Sequence, residues 1–276
     1  MSDVVLYLGD CAQVMAEHIA NNSIDLTVTS PPYDNLRTYN GYTFDFEAIA
    51  AQLWRVTKPG GVVVWVVGDA TINGSETGTS FRQALRFMEL GFNLHDTMIY
   101  ETDKPPMNDN RYQACFEYMF VLSKKHVATW SLLTERSIHA GKRNTSRVYV
   151  NQNGTLKPMT KPGVYNERKV RTAIWRYSSG NDKPNHPAPF PEALARDHIL
   201  SWSTPGDVVL DPMMGSGTTG KMALLTGRRF VGIDISAEYV ELARQRIAKV
   251  EAQPFLFPHE PAEQAQQLPL DTVSIS

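Results

Sequence analysis

One stretch of the chain decides the fold: residues 208–220 read Val-Val-Leu-Asp-Pro-Met-Met-Gly-Ser-Gly-Thr-Thr-Gly. A short aliphatic run that leads through Asp-Pro and glycines into Thr-Thr predicts a buried strand, a tight turn and a helix. Glycines in such a turn allow a positive φ and let a ligand approach the backbone closely. The stretch therefore predicts a ligand site at the end of a strand.

The rest of the chain repeats this alternation of short Val- and Ile-rich runs with amphipathic segments. It predicts an α/β fold with a mostly parallel sheet and helices on both faces. The predicted strands are residues 4–8, 25–29, 62–67, 208–211 and 230–234, with an antiparallel pair, 98–102 and 118–122, at one edge. The predicted helices are residues 11–20, 46–57, 80–90, 191–201, 218–226 and 237–249.

The glycine-rich turn is ambiguous by itself, because Gly215 and Gly220-Lys221 satisfy most of a phosphate-binding loop. Two details argue against a nucleotide triphosphatase. Met222 stands where that loop needs a hydroxyl for magnesium. Asp211, at the strand end, would repel a polyphosphate but would accept from an amino group.

A second acid, Asp234, ends the predicted strand 230–234. A carboxylate at this distance from a glycine turn suits the two hydroxyls of a ribose, since it accepts two hydrogen bonds from a vicinal diol. The implied ligand has a ribose and an amino group but needs no phosphate. S-adenosylmethionine meets that description.

Ser30-Pro31-Pro32-Tyr33 follows another predicted buried strand. Two successive prolines fix φ and remove amide donors, so they predict a stiff turn that presents carbonyl oxygens and the Ser30 hydroxyl. Such acceptors would draw an exocyclic base amine toward a tetrahedral nitrogen with a usable lone pair. Tyr33 would stack on a base flipped out of the helix. A rigid turn with a core tyrosine is the alternative.

The net charge of −2 conceals two regions of opposite sign. Residues 124–176 hold twelve Lys or Arg against Glu135 and Glu167, a net of +10, and the remainder carries −12. Five aromatic residues are interleaved with the positive charge: Trp130, Tyr149, Tyr165, Trp175 and Tyr177. This segregation predicts a basic lobe that neutralises DNA phosphates, with a solvated loop region as the alternative.

Composition narrows the other classes. Cys11 and Cys115 are too few and too scattered for a disulfide framework or a zinc cluster, so no metal is expected. Neither follows a proline, which disfavours a cysteine nucleophile for methylation at cytosine carbon 5. The longest apolar run, residues 62–67, is too short to cross a bilayer, and we expect a cytoplasmic protein without membrane contact.

Together, D-P-x-x-G-S-G-T-T at residues 211–219 and S-P-P-Y at 30–33 resemble the amino-methyltransferases of DNA, and the order of the motifs is similar to the beta group. The resemblance covers the chain to about residue 250. It implies a Rossmann-like class I methyltransferase fold, S-adenosylmethionine as cofactor, and catalysis by Ser30, Pro31, Pro32 and Tyr33. The cofactor residues that it implies are Asp10, His186, Phe190, Asp211, Met213, Gly215, Gly217, Thr218 and Asp234. Met213 departs from a frequent Phe.

The resemblance also implies a target-recognition region where the basic lobe lies. The expected division is a catalytic part at 1–123, a basic target-recognition region at 124–180, a cofactor-binding part at 181–250 and a tail at 251–276. The expected DNA contacts are Lys124, Lys125, Arg136, Lys142, Arg143, Arg147, Lys157, Lys161, Arg168, Lys169 and Arg171.

Ser rather than Asp at position 30 is typical of enzymes that methylate N4 of cytosine, whereas Asp is typical of N6-adenine enzymes. We therefore expect site-specific methylation of cytosine N4 in double-stranded DNA, with adenine N6 as the alternative. More distant alternatives are the phosphate-loop triphosphatase and a non-catalytic DNA-binding module. A cognate restriction endonuclease and a homodimer are compatible with this interpretation.

Overall fold

The computed structural model describes residues 3–32, 44–102, 112, 114–143, 148–150, 153–158, 163–177 and 191–251. Its strands are β1 (Val4–Leu8), β2 (Ile24–Thr29), β3 (Thr57–Val67), β4 (Thr71–Ile72), β5 (Ser75–Glu76), β6 (Asn93–Glu101), β7 (Phe116–Ser123), β8 (Thr134–Arg136), β9 (Val148–Val150), β10 (Leu156–Pro158), β11 (Arg168–Val170), β12 (Ile174–Arg176), β13 (Val208–Asp211) and β14 (Arg229–Asp234). Its helices are α1 (Cys11–His18), α2 (Phe46–Val56), α3 (Thr79–Glu89), α4 (Glu192–Trp202), α5 (Thr218–Leu225) and α6 (Ala237–Glu251).

The central sheet has eight strands in the order β1-β14-β13-β2-β3-β7-β6-β12. All neighbours are parallel except that β7 runs antiparallel to β3 and to β6. The Rossmann-like class I fold expected from the sequence is therefore confirmed. The predicted antiparallel pair is present as β6 and β7, but it is not the edge of the sheet, because β12 lies outside β6.

Strand β3 shows how the helices divide between the two faces. Val62, Val64 and Val66 pack into a core with residues of α4, α5 and α6, whereas Val63, Trp65 and Val67 pack with residues of α1, α2 and α3. Side chains alternate along a strand, so a continuous apolar run means burial on both faces. All six of these side chains are at most 1 % exposed, and each contributes about 1.5–3 kcal/mol through burial.

The predicted element positions are confirmed to within a few residues except at the start of β3, which begins at Thr57 rather than Val62. The extra residues pair because Gly60 donates to the Lys124 carbonyl and Lys124 donates back to Gly61. Gly60 has a φ of +87°, and a β carbon there would come within 2.6 Å of Ala128. A Gly-Gly pair, which looks like a turn in sequence, is thus part of a close strand contact.

The basic region is more ordered than the sequence indicates. Two antiparallel pairs, β8 with β11 and β9 with β10, occupy most of its described residues. Its last strand, β12, joins the central sheet, and Trp175 on β12 is 5 % exposed within the core. The expected boundary at residue 180 is therefore wrong, since β12 already belongs to the central sheet. The tail beyond Glu251 lies outside the described residues.

Among the helices of the described ranges, none combines the length and the apolar character that crossing a membrane requires.

Candidate active site

Four strands end together at the carboxyl edge of the sheet. β13 lies between β14 and β2, with Asp211 opposite Gly232, and β1 lies outside β14 with Leu8 opposite Asp234. Parallel order brings the strand ends to one edge, which is where open α/β sheets bind ligands. The acids Asp211 and Asp234 and the start of the Ser-Pro-Pro segment therefore belong to one site.

Asp211 is the most buried acid of this site, at 2 % exposure. Its Oδ1 accepts from the Thr29 hydroxyl at 2.8 Å and from the Met213 amide at 3.2 Å. Burial raises the pKa of Asp211 from 3.8 to about 6, although the hydrogen bonds from Thr29 and Thr219 act in the opposite direction. A cation placed beside this carboxyl would favour its ionised form, so the position suits an amino group.

The glycine turn between β13 and α5 has two residues with positive φ, Gly215 at +49° and Gly217 at +78°. Gly217 caps α5, and a β carbon there would come within 2.8 Å of the Ala243 β carbon on α6. The sequence indicated that glycines make room for a ligand. At Gly217 the structure gives a further reason, because the turn packs directly against α6.

Asp234 accepts the Gly215 amide on Oδ2 at 2.8 Å and the Ser236 amide on Oδ1 at 2.9 Å. Burial raises its pKa, and these backbone donors partly oppose the rise. Each carboxylate oxygen accepts two hydrogen bonds, so acceptor capacity is left for a diol. Asp234 thus holds the glycine turn and still presents oxygen atoms at the strand end.

Asp10 lies next to Asp234, because the Gly9 amide donates to the Asp234 carbonyl at 3.0 Å. It is the N-cap of α1, and its exposed carboxylate accepts from the Gln13 amide at 2.9 Å. Capping explains why an acid follows β1 even without a ligand. Its second oxygen remains available to an adenine amine, which keeps the predicted role compatible with the geometry.

Two other predicted cofactor residues lie in the glycine turn or just after it. Met213 is half-buried and packs against the core on the α1–α3 face. Thr218 is 5 % exposed, and its hydroxyl accepts from Arg246 at 3.4 Å. Their cofactor roles stay predictions. His186 and Phe190 lie outside the described residues.

Ser30 directly follows Thr29, so the Thr29–Asp211 hydrogen bond fixes the start of the Ser-Pro-Pro segment beside the glycine turn. Ser30 and Pro32 are half-buried and Pro31 is buried. Tyr33 lies outside the described residues, and its stacking role stays a prediction. The acceptor atoms proposed for an amine therefore start within one residue of the strand that carries Thr29, the partner of Asp211.

Lys221, the lysine of the phosphate-loop pattern, contacts Glu192 at the start of α4. Its ammonium donates to both carboxylate oxygens, at 2.7 and 2.9 Å. A triphosphatase needs this lysine at the phosphates. Its pairing with a carboxylate, together with Met222, disfavours that alternative.

Cys11 lies at the start of α1, near Asp10. Burial first, and Asp10 second, raise the pKa of its thiol to about 12. Since the thiolate is the nucleophile, this thiol is unsuited to attack at cytosine carbon 5. This finding agrees with a reaction at an exocyclic amine.

The expected DNA contacts separate into two groups. Lys124 donates to Asn22, Trp54 and Thr57 at the sheet edge opposite the site, and Arg171 pairs with the buried Asp197 at 2.7 Å while it stacks on Trp175. These two residues are structural. The others that the structure describes are exposed: Lys125, Arg136, Lys142, Arg143, Lys157, Arg168 and Lys169. Arg147 and Lys161 lie outside the described residues.

Sequence reasoning missed three residues of the site region. Thr29 was grouped with a buried strand, and Glu192 and Arg246 were assigned only to helices. Thr29 contacts Asp211, and Arg246 contacts both Ser216 and Glu192. A buried threonine ahead of Ser-Pro-Pro was the one available signal, because polar side chains at strand ends tend to face ligands.

With this geometry in hand, the sequence relatives identify the class. The profile of the N6/N4 DNA methylase family matches residues 24–245. The orphan methyltransferase M.BamHII of Bacillus amyloliquefaciens is 54% identical over 84% of this chain and 92% of its own length. The DNA adenine methyltransferase YhdJ of Escherichia coli (strain K12) is 26% identical over 83% of this chain and 78% of its own. The chain belongs to the N6/N4 DNA methylase family.

Solved structures agree on the fold. The cytosine-N4-specific PvuII DNA methyltransferase covers 91% of both chains with a TM-score of 0.65 at 19% identity. TTHA0409 of Thermus thermophilus, a DNA modification methylase solved in complex with S-adenosyl-L-methionine, covers 90% of this chain and 96% of its own, with a TM-score of 0.62 at 25% identity. The chain is thus a DNA methyltransferase of the type that modifies exocyclic amines.

Proposed function

We propose that this chain transfers the methyl group of S-adenosylmethionine to N4 of cytosine in double-stranded DNA, at a specific site. S-adenosylmethionine is the methyl donor of the family. The observation that carries the proposal is the 2.8 Å hydrogen bond between Thr29 and Asp211. It joins the strand that leads into Ser30-Pro31-Pro32 to the strand that leads into the glycine turn.

Asp211, Asp234 and Asp10 would hold the cofactor. The raised pKa of Asp211 suits a carboxyl that becomes ionised when a cationic amino group arrives. The spare acceptor capacity of Asp234 suits the ribose hydroxyls, and Asp10 suits the adenine amine. His186, Phe190, Met213 and Thr218 remain proposed contacts on the strength of the family resemblance.

The Ser-Pro-Pro segment would act on the amine. Its lone pair is delocalised into the base, so acceptors from the Ser30 hydroxyl and the Pro31 carbonyl would draw both amine hydrogens and free the lone pair for the methyl group. No covalent intermediate is needed, in agreement with the raised thiol pKa of Cys11. The amine proton leaves after transfer, and Tyr33 would hold the flipped base by stacking.

The basic region supports DNA as substrate. Residues 134–143 and 164–170 form a two-stranded ribbon in which Arg136 lies opposite Arg168 and Arg143 opposite Val164. Like charges directly opposite one another destabilise a strand pair. A phosphate between Arg136 and Arg168 would relieve that repulsion, and a two-stranded ribbon fits the major groove.

Cytosine is favoured over adenine by Ser30, where N6-adenine enzymes of the family typically have Asp. The second candidate, adenine N6, is supported by the similarity to YhdJ over most of both chains. Mass spectrometry of nucleosides from DNA incubated with the purified protein and S-adenosylmethionine distinguishes them. We expect N4-methylcytosine; N6-methyladenine would support the second candidate, and cofactor binding without methyl transfer would support a non-catalytic DNA-binding module.

A further inference from the structure

An ionic triad joins the three helices that surround the glycine turn. Glu192 of α4 accepts from Lys221 of α5 at 2.7 Å and from Arg246 of α6 at 3.0 Å, and both contacts use the same oxygen, Oε1. The side chains are partly buried, with exposures of 38, 29 and 18 % for Glu192, Lys221 and Arg246. Partial burial limits screening by solvent and salt.

Arg246 connects this triad to the turn itself. Its Nη1 donates to the Ser216 carbonyl at 2.8 Å and to the Ser216 hydroxyl at 2.7 Å. Ser216 is 3 % exposed and lies between the two glycines with positive φ. A guanidinium presents donors in a fixed fork, so binding Glu192 through Nη2 sets the direction in which Nη1 holds the Ser216–Gly217 peptide.

The turn is held from its other side by Asp234, which accepts the Gly215 amide. Between these two attachments, α6 presses on the turn through Ala243, which fills the space above Gly217. A turn rich in glycine loses much conformational entropy when it becomes ordered. Contacts that order it before the ligand arrives remove that cost from binding.

We infer that Arg246 is a positioning residue that sets the affinity for S-adenosylmethionine by fixing the glycine turn, and that Glu192 and Lys221 hold Arg246 in place. The inference rests on the proposed function, since it concerns the same cofactor site. It also gives a role to Lys221, the lysine that mimics a phosphate loop. Glu192 follows Pro191 directly, so the same triad fixes the end of the predicted cofactor motif at 186–191.

Calorimetry and steady-state kinetics on the full chain test this inference with Arg246→Met. Loss of a charged hydrogen-bond donor is expected to raise the Kd and the KM for S-adenosylmethionine about tenfold or more, with kcat within about twofold. Arg246→Lys, which keeps the charge but loses the fork, should lie between this variant and the unsubstituted protein. DNA affinity should not change, because the basic ribbon is a separate surface.

Arg244→Met is the matched control. Arg244 lies on the same helix but is exposed and pairs only with Glu241, among the hydrogen bonds and ion pairs recorded for the described residues. Equal cofactor affinity in Arg246→Met and Arg244→Met would overturn the inference. So would a loss of thermal stability and kcat in Arg246→Met without a change in KM, since that pattern indicates a purely structural role.

If Arg246→Met does not fold, Arg246→Lys and Glu192→Gln decide the question. A raised Kd for S-adenosylmethionine in both supports the inference, and unchanged affinity in both overturns it. Absence of cofactor binding by the unsubstituted protein would contradict the proposed function and overturn this inference with it. The two failures are therefore distinguishable.

Discussion

The hydroxyl of Thr29 donates to the carboxylate of Asp211 at 2.8 Å, across two strands whose sequences are 182 residues apart. One partner immediately precedes the segment proposed to activate the amine, and the other ends the strand that leads into the cofactor turn. The distance between nucleophile and methyl donor therefore depends on this bond. Positioning of this kind accounts for a large share of catalysis in two-substrate reactions.

Thr29→Val tests this relationship. The substitution keeps the shape of the side chain but removes the donor that lowers the pKa of Asp211, so that pKa should rise. We expect the pH at which cofactor affinity is half-maximal to move upward, with kcat reduced about tenfold or more because the two segments lose their link. A pH series of S-adenosylmethionine binding and turnover measures both effects.

Thr27→Val is the matched control, because Thr27 lies on the same strand, is fully buried, and has a hydroxyl without a hydrogen-bond partner in the described part of the chain. Its pH profile should stay that of the unsubstituted protein. Identical profiles for the two variants would contradict the role of the Thr29–Asp211 bond.

Asp211→Asn should stabilise the protein without cofactor while abolishing tight cofactor binding. The folded-state pKa of about 6 exceeds the ordinary 3.8, so the folded protein binds more protons in that interval and its free energy of unfolding falls as the pH rises through it. The cost above pH 6 is on the order of 3 kcal/mol. The Asn oxygen still accepts from Thr29 and Met213.

Thermal denaturation from pH 4 to pH 8 measures this effect. The variant's Tm should exceed that of the parent above about pH 6, and the difference should shrink toward pH 4. A variant that is less stable than the parent at every pH would contradict the assignment of burial as the dominant cause.

Tyr33→Ala and Asp234→Ala should have opposite effects. Loss of the stacking platform is expected to lower turnover while cofactor affinity is largely kept, because stacking contributes about 1–3 kcal/mol per base. Asp234→Ala should weaken cofactor binding first, since it removes both the ribose acceptor and the partner of the Gly215 amide. Cofactor titrations and single-turnover kinetics separate the two. If both variants weakened only cofactor binding, Tyr33 would not serve the base.

Neutralising the basic ribbon should flatten the salt dependence of DNA binding. Lys142→Gln with Arg143→Gln is expected to reduce the slope of log K against log salt by about 1.8, since each phosphate contact contributes about 0.9. The control is Arg244→Gln with Lys249→Gln, two exposed positions on α6. Equal slopes in the two double variants would argue against the ribbon as the DNA surface.

Arg171→Ala should act on stability instead. Arg171 pairs with Asp197, whose side chain is 7 % exposed, and the substitution leaves that carboxylate without its partner. Removing one member of a buried pair costs about 3–5 kcal/mol, so a marked loss of Tm is expected with the salt slope of DNA binding unchanged. Chemical denaturation and a salt titration of DNA binding check both parts. A flattened slope at native Tm would return Arg171 to the DNA surface.

Much of the fold could be predicted because buried parallel strands are continuous apolar runs, as at Val208–Asp211. Asp211 and Asp234 were found because acids that end such strands have few structural reasons to be there. Strand β12 was not predicted, since three residues flanked by polar ones show no periodicity.

Partners far apart in sequence account for the other differences. Thr29 needs Asp211, and Arg246 needs Ser216 and Glu192, and no local pattern indicates such pairs. Charge counting placed Arg171 with the DNA contacts for the same reason, because it cannot show that Asp197 on α4 already pairs with it.

Single-molecule sequencing of DNA from cells that express this protein tests the central claim most directly, because it reports the modified base and its context together. The account predicts N4-methylcytosine in one recurring sequence, absent from cells that express Ser30→Ala. Modification of adenine, or cytosine N4 methylation that persists in the Ser30→Ala variant, would contradict it.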